Sequence, residues 1–86
     1  MMENEFNLRG KVIRMARQMK DIRPRDFSKI VDIETDYLCK IEREQRSLSR
    51  LNEIRILRGL RKLGVTDAQI CAIQLIVEHG EGRFDE

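Results

Sequence analysis

The sequence predicts an all-α domain of five helices, and three observations lead to this fold class. Apolar residues recur at intervals of three and four along most of the chain, which is the spacing of one face of an α-helix. The sequence has no alternating apolar run and no Asn-Gly turn, so it gives no sign of a β-strand or a hairpin. A length of 86 residues suits one small domain. We therefore expect a single helical core.

The first helix is predicted over residues 8–20. One apolar stripe at helical spacing runs along it, formed by Leu8, Val12, Met15, Ala16 and Met19. Residues 1–7 precede this stripe and lack the apolar core of a signal peptide, so we expect an N-terminal tail there.

Two short helices joined by a tight turn are predicted between Ile22 and Ser47. Pro24 suits the first turn of the second helix. Backbone N–H groups in a first turn have no acceptor within the helix, so proline loses no hydrogen bond there. Asp32 stands at the turn, and Asp tolerates a left-handed backbone better than most residues. The third helix is expected to run from about Thr35 to Arg43. The apolar positions of this pair share an inner face, formed by Ile22, Phe27, Ile30, Val31, Ile33, Leu38 and Ile41.

Serine and glycine signals delimit the fourth predicted helix. Ser47 and Ser49 are both placed to cap its start, and the sequence does not choose between them. Gly64 follows its last turn as a stop signal. Gly59 lies inside this helix and is expected to weaken it.

The fifth helix has the clearest start signal. Thr66 and Gln69 have the spacing of a capping box, in which each side chain bonds to the other residue's backbone N–H. The helix is expected to run from about Asp67 to His79, followed by a mobile tail over residues 80–86.

Residues 66–79 are expected to form the C-terminal helix, and its run from Ala68 to Val77 is apolar nearly all round, which predicts burial on more than one side. We expect one face to close the core and a second face to pair with another copy of the chain, giving a homodimer. The alternative is that the other helices wrap this helix completely. The residues chosen for the dimer interface lie at spacings of three and four, and they are Ile70, Ile73 and Val77.

The segment from Ile22 to Ser47, IRPRDFSKIVDIETDYLCKIEREQRS, resembles the helix-turn-helix of the Cro/phage-repressor (Xre-like) family. The resemblance begins upstream at Ile13–Arg17 and covers roughly residues 8–65, which are expected to form a helix-turn-helix domain. It implies a five-helix, repressor-like DNA-binding fold whose third helix enters the major groove. Double-stranded DNA is therefore the expected partner.

Some positions depart from the family pattern. Pro24 stands where the family usually has a phosphate-contacting Gln, and Asp32 and Glu44 stand where Gly is common. Arg23 and Arg25 flank Pro24 and are candidates to supply the phosphate contacts instead.

The outward face of the third helix is the expected DNA contact, because Leu38 and Ile41 must face inward. The residues on this side of the third helix (α3, expected over residues 35–43) are Thr35, Asp36, Cys39, Lys40 and Arg43, and we call them the outer α3 face. Arg46 follows the helix and completes the candidate set. The basic side chains suit phosphates or guanine, and the carboxylate can accept a hydrogen bond from the amino group of cytosine. The alternative is a solvated face of mixed charge that contacts no DNA.

Arg17 and Glu42 occupy the family positions of a structural ion pair. The resemblance implies that this pair ties the first helix to the end of the third. The alternative is two unpaired surface charges.

Composition and spacing argue against several other classes of protein. The sequence has no apolar run of the roughly 18 residues that a transmembrane helix needs, so no membrane partner is expected. A chain with two cysteines and no secretion signal suits a reducing cytoplasm. Cys39, Cys71 and His79 lack metal-ligand spacing, and Cys71 is expected in the core. No catalytic set can be assembled, so we expect neither an enzyme nor a cofactor.

The function that fits these observations best is a small cytoplasmic transcriptional regulator that binds specific DNA sequences as a homodimer. The rival function is a protein-interaction module with the same fold, such as an antirepressor or an assembly factor. Such a module would hold a protein partner and would not bind DNA.

Overall fold

The computed structural model describes residues 8–82 of the chain, and all the regular structure within them is helical. The all-α fold class with five helices is confirmed for these residues. The predicted tails fall largely outside them, because residues 1–7 and 83–86 are not described. The helices are α1 (Gly10–Met19), α2 (Pro24–Val31), α3 (Thr35–Glu42), α4 (Arg50–Lys62) and α5 (Asp67–Gly82).

Two helix ends differ from the sequence prediction. The first helix begins at Gly10, and the backbone N–H of Leu8 donates to the Glu53 carboxylate of α4 at 3.1 Å. The fifth helix continues to Gly82, past the end expected at His79. Gly80 does not stop it, because a glycine inside a helix costs only about 1 kcal/mol relative to alanine.

Side-chain caps explain where α4 and α5 begin. Ser49 accepts a hydrogen bond from the backbone N–H of Asn52 at 3.2 Å, so Ser49 rather than Ser47 caps α4. The Thr66–Gln69 capping box is confirmed, with reciprocal bonds of 3.0 and 3.1 Å.

The turn between α2 and α3 depends on a left-handed residue and a pair of hydroxyl groups. Asp32 has a φ of +59°, which confirms the conformation expected of it. Ser28 donates its single O–H to the Arg25 carbonyl at 2.7 Å, so the Thr35 hydroxyl donates to the Ser28 oxygen at 2.8 Å. These bonds join the start of α3 to the middle of α2.

The core lies around α1, which packs against α3, α4 and α5, while α2 packs against α3 and α4. Phe27 and Leu38 are completely buried at its centre. The buried apolar side chains come from every helix, and they are Leu8, Val12, Ile13, Ala16, Phe27, Val31, Ile33, Leu38, Ile41, Ile56, Leu60, Val65, Ile70, Ile73 and Val77.

The assignment of Ile70, Ile73 and Val77 to a dimer interface is wrong. All three are buried within a single chain, where they close the core as part of the α5 face that packs on α1. Burying them there removes their apolar surface from water, so none is left for a second copy. The opposite side of the helix is exposed instead, with Leu75 and Ile76 each 59% accessible.

Gly59 makes the close approach of α4 to α2 possible. A Cβ atom at this position would lie 2.5 Å from Cγ1 of Val31, a distance that real Cβ contacts do not reach. Val31 is buried, and β-branched side chains are stiff at χ1, so it has little room to move away. The residue expected to weaken α4 is therefore what lets α4 pack.

We predict that Gly59→Ala destabilises the protein. Overpacking costs about 1–3 kcal/mol, against about 1 kcal/mol gained from the better helix propensity of alanine. A net loss of up to about 2 kcal/mol in the free energy of unfolding should appear in urea denaturation. Gly80→Ala is the matched control, since an added Cβ there meets nothing within 4 Å. Equal stability of the two variants would contradict the tight contact.

Candidate functional site

A buried ion pair positions the end of α3. The guanidinium of Arg17 on α1 donates to both carboxylate oxygens of Glu42, with Nε–Oε2 and Nη2–Oε1 distances of 2.9 Å. A third nitrogen, Nη1, donates to the carbonyl of Ile22 at 2.8 Å. Arg17 is 7% exposed and Glu42 is 5% exposed. One guanidinium thus joins α1, the α1–α2 loop and the last residue of α3.

The outer α3 face lies beside this anchor, on the surface of the protein. Asp36, Lys40 and Arg43 are exposed, and Cys39 is half-buried between them in sequence. Thr35 is also half-buried, and its hydroxyl is engaged with Ser28. Thr35 therefore helps to position α3, while the other side chains of the face remain available to a ligand.

A cleft of about 180 Å³ opens beside this face, between α1, the start of α2 and α3. Its cations are Arg14, Arg17 and Arg43, of which Arg17 is already paired with Glu42. Arg14 and Arg43 are exposed, so their guanidinium groups can meet an anion at the mouth of the cleft. We call it the Arg14–Arg43 cleft, and its lining is Arg14, Arg17, Pro24, Cys39, Glu42 and Arg43.

Arg14 is the site residue that the sequence prediction missed. It precedes Arg17 by three positions, so the two side chains lie on neighbouring parts of the α1 surface. That spacing was a usable signal, because the position of Arg17 beside α3 implies that a residue one turn earlier lies near α3 as well.

The other predicted arginines are distributed unevenly around the cleft. Arg23 and Arg25 are exposed at the start of α2, on either side of Pro24, which lines the cleft. Arg46 is exposed but lines a different groove, which also includes Arg9 and is formed by the start of α1 and the loop after α3. The structure thus brings Arg46 next to α1 rather than to the Arg14–Arg43 cleft.

The carboxylate of Glu44 lines the groove that contains Arg9 and Arg46. Its backbone has a φ of +64°, a left-handed conformation that favours glycine. The side chain accepts hydrogen bonds from Arg9 Nε at 3.1 Å and Arg9 Nη2 at 2.9 Å, and it also reaches the backbone N–H of Lys11 at 3.4 Å. These contacts link Glu44, two residues after the end of α3, to the start of α1 and help to hold its left-handed backbone.

Acidic side chains limit how strongly the surface around α3 attracts anions. Asp36 lies in the first turn of α3, where a carboxylate is favoured by the helix dipole. Glu34 is the N-cap residue but makes no side-chain cap bond, and it is exposed. The face therefore has an acidic end at the start of α3 and a basic end near Lys40 and Arg43.

The two cysteines lie in different surroundings. Cys39 is half-buried in the Arg14–Arg43 cleft, and Cys71 is exposed on α5 rather than in the core as expected. Cys71 follows the buried Ile70 by one position, which turns it by 100° around the helix and away from the core. Within the residues that the structure describes, no group of His, Cys, Asp and Glu side chains has an arrangement that could hold a metal ion.

Comparison with known proteins adds no identification, since no family model, curated protein or solved structure matches this chain significantly. Among the described helices, none is long and apolar enough to cross a membrane.

We predict that Glu42→Ala lowers the free energy of unfolding by about 3 kcal/mol, because it leaves the buried Arg17 guanidinium without its carboxylate. A double-mutant cycle with Arg17→Ala, measured by urea denaturation, should give a coupling energy well above that of an exposed pair. The exposed Arg61–Asp67 pair, at 2.9 Å, is the matched control and should couple by less than about 1 kcal/mol. Similar coupling energies for the two pairs would refute the anchoring role.

Proposed function

We propose that this chain is a small, sequence-specific DNA-binding transcriptional regulator that acts in the cytoplasm as a homodimer. In this proposal α2 and α3 form a helix-turn-helix of the Cro/phage-repressor type, and the outer α3 face enters the major groove. Catalysis, metal ions and cofactors have no part in it. Regulation follows from occupancy of a promoter.

The Arg14–Arg43 cleft is the observation that carries the proposal. It adjoins the exposed side of α3 and the first turn of α2, so a phosphate held there would lie beside a helix that is free to contact base edges. Arg14 and Arg43 provide charge-assisted donors to such a phosphate. Arg23 and Arg25 extend the basic surface along the start of α2. Phosphate contacts of this kind fix the position of a protein on a duplex.

Sequence preference would come from the side chains of α3. Asp36 is exposed in its first turn, and residues near the start of a recognition helix contact base edges. A carboxylate gains nothing from phosphates but accepts a hydrogen bond from the N4 amino group of cytosine. Lys40 follows one turn later and can donate to guanine O6 or N7. We therefore infer a preference for G·C at the base pairs that Asp36 and Lys40 meet.

The homodimer is proposed to form through the outer α5 face, which consists of Ala68, Cys71, Ala72, Leu75 and Ile76. Its small residues lie in the first half of the helix and its large residues in the second half. Antiparallel pairing about a two-fold axis near residues 73 and 74 would set each large side chain opposite a small one. The pairing would also place the positive N-terminal end of each helix dipole beside the negative C-terminal end of the other.

The rival function, a protein-interaction module that binds no DNA, is favoured by two observations. Glu34 and Asp36 place carboxylates at the start of α3, and Leu75 and Ile76 offer apolar surface to a partner. Retention on heparin and on random duplex DNA distinguishes the two functions. A DNA-binding protein with several phosphate contacts should be retained at low salt and released steeply as salt rises, whereas a module that binds only protein should not be retained on the duplex.

We predict that Lys40→Ala and Arg43→Ala each weaken DNA binding. Loss of the Arg43 phosphate contact should lower the slope of log K against log salt by about one unit, whereas loss of the Lys40 contact to guanine should relax the preference for G·C. Fluorescence anisotropy on duplexes recovered from genome-wide binding would measure this effect. Lys62→Ala is the control, because Lys62 is an exposed cation on α4, away from this surface. Unchanged affinity in both α3 variants would exclude this helix from the groove.

We predict that changing both Leu75 and Ile76 to Lys yields a folded monomer, because both side chains are exposed in the single chain. Changing the buried Ile73 and Val77 to Lys should instead unfold the domain. Sedimentation equilibrium and circular dichroism together distinguish these results. A wild-type chain that stays monomeric at high micromolar concentration would rule out the homodimer.

A further inference from the structure

The first half of α4 has apolar side chains that none of the other described helices covers. Leu51 is 58% exposed and Ile54 is 41% exposed. Leu57 follows Ile54 by three positions, so the two are neighbours on the helix surface, and Leu57 is half-buried. Leu57 also lines a mostly apolar cleft of about 240 Å³ between α4 and α5, together with Ile70 and Cys71. We call the continuous surface from Leu51 to this cleft the α4 groove.

Cations surround the α4 groove. Two of them have acidic neighbours: Arg50 lies 3.8 Å from Glu53, and Arg61 lies 2.9 Å from Asp67. Arg58 and Lys62 are exposed and form no ion pair with any residue that the structure describes. The rim therefore has positive charge that no ion pair among residues 8–82 neutralises.

We propose that the α4 groove binds an acidic, amphipathic segment of another protein. Apolar side chains of that segment would cover Leu51, Ile54 and Leu57, with one inserted into the cleft beside Ile70. Its carboxylates would pair with Arg58 and the neighbouring cations. An amphipathic helix fits this pattern, since its apolar anchors form one stripe that can lie along Leu51, Ile54 and Leu57, which follow one another at intervals of three on α4. The inference does not depend on DNA binding.

The combination of apolar side chains and cations in the α4 groove favours an acidic amphipathic segment over other anionic ligands. Duplex DNA offers phosphates to Arg58 and Lys62, but it leaves Leu51 and Ile54 facing water or charge. An anionic membrane surface would favour a helix with a wider apolar face than the first turns of α4 provide. An acidic amphipathic segment satisfies both the apolar centre and the basic rim, as protein interfaces commonly do.

A defined probe tests the proposal with the full chain. The probe is a fluorescein-labelled peptide of about 16 residues, long enough as a helix to span α4. It has Leu on one face and Glu elsewhere, and it is titrated by anisotropy. We expect saturable binding, with amide shifts in the NMR spectrum confined to α4 and the start of α5. Ile54→Ser and Arg58→Glu should each weaken binding by about tenfold.

Control variants outside the α4 groove and control peptides test whether binding is specific to this groove. Met19→Ser removes an apolar side chain that is 52% exposed, and Lys29→Glu reverses an exposed charge on α2; neither should change binding. A peptide with Lys in place of Glu, and a scrambled acidic peptide, should not bind. Equal binding of the scrambled peptide, no binding of the probe, or shifts outside α4 and α5 would overturn the proposal. So would binding of phosphatidylserine vesicles or duplex DNA that the same two variants abolish.

Discussion

The Arg17–Glu42 ion pair is the interaction on which the rest of this structure depends. It is buried, bidentate and supplemented by a bond from Arg17 to the Ile22 carbonyl, so it joins α1, the α1–α2 loop and α3 at one point. A buried pair of this kind adds little net stability compared with apolar packing, but breaking it by removing one partner is costly. Its main consequence is therefore geometric. It holds the end of α3 against α1 and leaves the adjoining outer face of α3 exposed.

This geometry gives the outer α3 face a specific electrostatic character. The Arg14–Arg43 cleft concentrates guanidinium groups beside α3, whereas Asp36 places a carboxylate in the first turn. A uniformly basic surface would attract any polyanion. A surface that combines guanidinium groups with a carboxylate favours a ligand that presents both phosphates and hydrogen-bond donors in a defined arrangement. The major groove of DNA is such a ligand. The same mixture explains why a net charge of only +2 is compatible with the proposed function.

Local signals in the sequence predicted much of the fold, and tertiary relationships account for what it missed. The capping box at Thr66 and the left-handed Asp32 depend on neighbouring residues alone, so they were readable from the sequence. The orientation of α5 was not readable, because a helix that is apolar nearly all round does not show which of its faces packs on the core. Ile73 and Val77 were therefore assigned to the dimer interface, although they face the core. Gly59 was likewise misjudged, since its role depends on Val31 of a different helix. At the site, the outward residues of α3 followed from periodicity, and the spacing of Arg14 and Arg17 was readable. The cleft that Arg14 and Arg43 share depends on how α1 packs beside α3, which the sequence does not show.

The proposed placement of α3 in the major groove is the central claim, and the two native cysteines provide a direct test of it. Cys39 is half-buried on the outer α3 face, whereas Cys71 is exposed on α5. The rate of maleimide labelling of each thiol would be measured by mass spectrometry, with and without a saturating duplex recovered from genome-wide binding. At a protein concentration where the chain is already dimeric, placement of α3 in the groove predicts that DNA slows the labelling of Cys39 by about tenfold or more. The rate at Cys71, on the proposed dimer face, should then keep its value in the DNA-free dimer. Equal labelling of Cys39 with and without DNA would contradict that placement.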